Sequence, residues 1–157
     1  MPKIGSISTH KMETILPKEQ YIILYRTSWL TLISCMYALY TGHYILAIAP
    51  GSVFLTSINY WRKPDYSWRR YLDIGNVVLM HLYQYCMAYG AQYGVAYYVI
   101  NILGMSMFPI GVYYYKKGDT WMSVYFHSLL HLIANISNFV LYSGYITSPN
   151  VKHFVNG

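Results

Sequence analysis

The chain has 157 residues, of which 55% are hydrophobic and only 10% charged, against about a quarter charged in soluble domains. The charges cluster and leave long uncharged runs, which argues against an ordinary soluble domain and predicts one membrane domain. The net charge of +6 is no sign of a nucleic-acid partner. The basic residues stand at the ends of apolar runs, where topology determinants belong, and no phosphate loop, zinc-finger spacing or RNA-binding signature accompanies them.

Residues 1–20 are polar, carry Lys3, Lys11 and Lys18, and read as a cytoplasmic tail without a signal-peptide core or a myristoylation glycine. A first span is predicted over Tyr21–Thr41, with Arg26 about one turn inside the boundary and able to snorkel to the headgroups. The second, His43–Tyr60, follows at once and forms a hairpin with the first; Pro50-Gly51 near its middle predicts a kink. Trp61–Arg70 is basic and aromatic, an interfacial loop suited to an anionic leaflet.

The third span, Tyr71–Ala91, contains Asp73, Asn76, His81 and Gln84. A turn at Gln92–Gly94 leads to the fourth, Val95–Tyr115, which holds Asn101 and Pro109. After Lys116–Asp119 comes the fifth, Trp121–Tyr145, 25 residues without a formal charge and long enough to cross a ~30 Å hydrocarbon core. Cys35 and Cys86 lie inside apolar runs and read as soft hydrophobes.

The expected fold is an all-α integral membrane bundle of five transmembrane helices over 21–145, between a tail at 1–20 and a short one at 146–157. Ten of the eleven Lys and Arg residues, all but Lys152, then share one side of the membrane. Positive-inside bias puts that side, and the N-terminus, in the cytoplasm. The sequence does not specify which membrane.

In the fifth span His127, His131 and Asn138 fall within roughly 40° of one another around the helix, with Asn135 at the edge of the stripe. A polar stripe on a spanning helix faces the bundle interior and marks a candidate site. Topology brings Ser57, Asp73, His127 and His131 into the cytoplasmic half, with His81 and His131 at similar depth.

Three readings follow. Two histidines at i and i+4 can share one metal ion, as on the zinc-binding HExxH helix, although the glutamate of that motif is missing. Asp73 is then the base and Ser57 the hydrogen-bond donor to a carbonyl oxygen. His81 and His131 on different helices are also candidate axial ligands of haem b. Alternatively, Asn76, Gln84, Asn101, Asn135 and Asn138 hydrogen-bond across helices. That reading describes a non-catalytic component of the bilayer, or of a membrane complex with other subunits.

The combination of Ser57 near the inner end of the second helix, Asp73 at the start of the third and HxxxH at His127–His131 resembles the CREST superfamily of membrane hydrolases. That superfamily includes the alkaline ceramidases and the progestin and adipoQ receptors. The resemblance implies Zn²⁺ held by a histidine four residues after the serine and by both histidines of HxxxH, and hydrolysis of a lipid amide or ester. In this chain the position four after Ser57 is Trp61. The third ligand of the pattern is absent from its place, with His81 as the substitute, and five spans are expected where the family typically has seven. Whether the chain is an enzyme is left open by the sequence.

Overall fold

The computed structural model of the chain describes residues 14–146; the remainder of both predicted tails lies outside the described residues. The regular structure there is entirely helical: α1 Lys18–Thr27, α2 Trp29–Tyr40, α3 Tyr44–Trp61, α4 Trp68–Ala88, α5 Gly94–Lys116 and α6 Thr120–Tyr142. α1 and α2 form one rod, interrupted only at Ser28, which keeps a helical backbone. The Ser28 and Thr27 hydroxyls both donate to the Leu24 carbonyl, at 2.8 and 3.1 Å. Such competition with the backbone locally distorts a helix without ending it.

Lys18–Tyr40, Gly94–Lys116 and Thr120–Tyr142 are long and apolar enough to cross a membrane. α3 and α4, of 18 and 21 residues, lie between them in the chain, and α4 carries three charged side chains, Arg69, Arg70 and Asp73. α3 runs unbroken through Pro50, whose ring lines an interior cavity.

The turns have local causes. Gly42 and Gly118 adopt φ of +82° and +84°, a left-handed backbone that glycine takes without steric cost, and each reverses the chain within a few residues. Asp119 caps α6 by accepting the Met122 amide at 3.0 Å. Between α3 and α4 the predicted ten-residue loop is shorter, because α4 already starts at Trp68. Arg69 explains this. It pairs with buried Asp65 at 2.7 Å and donates to the carbonyls of Lys63 and Asn59 at 2.7 and 3.2 Å. Hydrogen bonds from Ser67 and then Arg69 hold the Asp65 carboxyl below its usual range, against the opposing effect of burial. One of the four basic side chains expected to meet the leaflet is therefore committed to the loop itself.

α5 and α6 form the closest pair. A Cβ on Gly104 would stand 3.2 Å from the Ala134 nitrogen, and one on Gly111 would stand 3.3 Å from the Ser123 oxygen. Small residues let two backbones approach in this way. The α1–α2 rod packs on α6 and on α3, and α3 packs on α4. α4 closes on α5 only near one end, where Tyr85 OH donates to Asn101 Oδ1 at 2.8 Å and Tyr98 OH to the Tyr85 carbonyl at 2.6 Å.

The distribution of side chains is inverted relative to a soluble domain. Ile33, Met36, Leu55, Leu79, Val95 and Ile102 are exposed, while Gln84, Asn101, Asn135 and Ser137 are buried. Contiguous apolar surface of this kind suits a bilayer. Inside, the polar groups find partners across helices. Ser34 donates to Asn135 Oδ1 at 2.6 Å, Gln84 to Asn138 Oδ1 at 3.1 Å, and Asn101 to Ser137 Oγ at 3.0 Å.

Candidate functional site

Ser57 on α3, Asp73 and His81 on α4, and His127 and His131 on α6 all line one interior cavity of about 260 Å³. α3 and α4 position the first two. Ser57 lies one turn before the end of α3 and Asp73 one turn into α4, so the clamped loop between them sets both at the same depth. Ser57 Oγ donates to Asp73 Oδ1 at 2.7 Å, and Thr56 Oγ1 reaches the same oxygen at 2.9 Å. Asn76, one turn further along α4, donates to Thr56 Oγ1 and Ser52 Oγ at 3.3 Å. Asp73 is thus held by hydroxyls, not by a cation, and it is 7% exposed.

The histidines differ in their fixing. His81 Nδ1 stands 2.8 Å from the Val77 carbonyl. A carbonyl only accepts, so Nδ1 carries the proton and Nε2 keeps its lone pair. His131 Nδ1 is 3.1 Å from Thr27 Oγ1, whose own proton goes to the Leu24 carbonyl. His127 is enclosed by rings: Trp61 and His131 each at 5.0 Å between centroids, and Phe108 at 6.2 Å.

Trp61 is the residue packed most closely on the histidine pair from α3. It is 6% exposed, and its indole lies edge-on to His127, in the place where the CREST pattern would put a third imidazole. An indole has one N–H donor and no ligating lone pair. His127 and His131 are neighbours close enough to share an ion. Among the described residues, however, no three His, Cys, Asp or Glu side chains stand together as a metal site. His81 lines the same cavity, but its ring contact is with Tyr85, at 6.4 Å, and not with either α6 histidine.

No family model, curated protein or solved structure matches the chain.

Sequence reasoning overlooked Thr56 and Thr27. Thr56 was available as the neighbour of Ser57. Thr27 belongs to a stripe, Gln20, Thr27, Thr31 and Ser34, whose spacing of seven, four and three residues marks one helix face. That stripe does face α6: besides Thr27 and Ser34, Gln20 donates to Thr120 Oγ1 at 3.0 Å and Asn135 to Thr31 Oγ1 at 3.5 Å.

Proposed function

We propose that the chain is a five-span integral membrane protein with a cytoplasmic N-terminus, serving as a non-catalytic structural or accessory component built on a CREST-like plan. α3 and α4 are roughly 27 and 32 Å long at 1.5 Å per residue, matching the ~30 Å core. Each short turn reverses the chain, and the cationic ends gather on one side. The observation that carries the functional reading is Trp61 against His127: the third-ligand position holds a packing residue. The remaining polar side chains are largely engaged with one another, as cross-helix contacts in a bundle are.

A second reading, a metal-dependent hydrolase of a lipid amide or ester, is favoured by one specific fact. Ser57, Asp73, His127 and His131 wall a single cavity. In it Asp73 would handle the proton and Ser57 would turn from Asp73 to a substrate carbonyl. Haem b between the Nε2 atoms of His81 and His131 is the third.

One experiment separates them: metal analysis and an optical spectrum of the detergent-purified full chain, beside Trp61→His. The natural sequence is expected to carry well under one zinc per chain and no Soret band. Trp61→His completes a three-imidazole set and is expected to gain about one zinc, lost again when His131→Ala is added. Stoichiometric zinc in the natural sequence, removed by His127→Ala with His131→Ala, would establish the hydrolase reading instead, and a Soret band the haem reading.

A further inference from the structure

A second cavity of about 320 Å³ adjoins the first at the start of α4 and the end of α5, and the two share Asp73, Ile74, Phe108 and His127 as common wall. Together they run along α4 from Arg70 to Gln84, roughly 21 Å at 1.5 Å per residue. The two ends differ in chemistry. At one end stand Arg70 and Lys116 with Tyr66 and Tyr115. Beyond the shared wall the lining includes Val77, Val78 and Met105, together with His81, Gln84 and His131.

The side of this passage is thin. Ile74, Val78 and Phe108 line it and are also 41%, 53% and 42% exposed on the outside of the bundle. This is the seam where α4 and α5 diverge from their single meeting point at Tyr85 and Asn101. A chain lying in it would be flanked by the hydrocarbon core without crossing a polar barrier.

Among the described residues neither Arg70 nor Lys116 forms a salt bridge. The one ion pair among the described residues joins Arg69 to Asp65. The Arg70 guanidinium lies over the Tyr66 ring, 5.2 Å from its centroid, which orients the planar fork without neutralising it. Asp73, the carboxylate on the shared wall, accepts at Oδ1 from the Ser57 and Thr56 hydroxyls. An arginine fork and a lysine point charge match a phosphate monoester, with about −1.5 to −2 charges and three acceptor oxygens, better than a single carboxylate.

We propose that the two cavities form one binding slot for a single-chain phospholipid with a phosphate monoester head, of the lysophosphatidic acid class. The phosphate sits between Arg70 and Lys116, and the acyl chain lies between α4 and α5 toward Gln84. The proposal rests on the five-span reading and on nothing catalytic.

The test is photo-crosslinking of the full chain in nanodiscs with a diazirine-tagged oleoyl lysophosphatidic acid, mapped by peptide mass spectrometry, with competition. Labelling is expected on α4 and α5 around Val78 and Met105. Unlabelled oleoyl lysophosphatidic acid should compete at least ten times better than oleate or oleoyl lysophosphatidylcholine, and inorganic phosphate at millimolar concentration should not compete. Lys116→Gln, an exposed site that leaves the fold alone, should weaken capture about fivefold, and Arg70→Gln with Lys116→Gln at least tenfold. Labelling spread evenly over lipid-facing helices, or unchanged in the double variant, overturns the proposal. So does equal competition by oleate or by free phosphate. Sidedness of the spans is read independently by cysteine labelling, so failure of the slot and failure of the five-span reading are told apart.

Discussion

Asn101 is 1% exposed and serves two helices at once, accepting from Tyr85 and donating to Ser137. Its importance was legible from the sequence, because an amide in the middle of an apolar span must find a partner. The identity of the partners was not, since Ser137 sits on a face of α6 away from the His127–Asn138 stripe. The same division holds for Asp73: a carboxylate in a span demands company, yet nothing in the spacing says that Thr56 shares it with Ser57. Asp65 is the residue whose contribution can be read by pH. Its carboxyl is held below the usual range by Ser67 and Arg69, so the folded chain favours the ionised form. That stabilisation is complete above the unfolded carboxylate pKa of about 3.9 and disappears as pH falls through the lower folded value. Asp65→Asn is expected to cost about 1 kcal/mol at pH 7, a charged hydrogen bond discounted for nearby water. In detergent melts the gap to the natural sequence should close as pH falls below about 3.9; a gap independent of pH would remove the ionised pair from the account.

Among the elements, the α5–α6 pair is bound by shape. Gly104 presses its backbone on Ala134 and Ile133, and a larger residue there has nowhere to go. Gly104→Leu is expected to lose about 1–3 kcal/mol through overpacking. Gly75→Ala on α4, where a Cβ meets nothing within 4 Å, should be neutral or slightly stabilising. Unfolding in graded SDS measures both; helix propensity alone favours either substitution over glycine, so a Gly104→Leu variant as stable as Gly75→Ala would remove the α5–α6 contact from the account. The element boundaries were accessible from charge and turn residues to within a few positions. At the start of α4, Trp68 and not Tyr71, the shift has an identifiable cause: the Asp65–Arg69 pair converts predicted interfacial loop into helix. A basic residue at a span end serves equally for lipid contact or for a local clamp, and composition does not distinguish the two.

For the molecule as a whole, position along each helix was readable while neighbourhood was not. Counting turns assigns Ser57, Asp73 and His127 to one half, which the shared cavity matches. No periodicity, however, says that α4 stands next to α3 and parts from α5. The sidedness itself is testable in a chain carrying Cys35→Ser and Cys86→Ser. Cysteines at Lys63 and Lys117 should react with an impermeant maleimide only from the cytoplasmic face, and one at Tyr89 only from the other. Opposite reactivity of Lys63 and Lys117 would end the five-span topology.

The uneven joinery of the helices also determines how the molecule can deform. Gly104 and Gly111 weld α5 to α6, whereas α4 is pinned to α5 at a single corner by Tyr85, Asn101 and Tyr98. Anything thicker than one hydrocarbon tail lying in that seam must therefore part α4 from α5 about that corner, against the packing of α3 on α2 and α4. The opposite half of the bundle acts as the fixed frame.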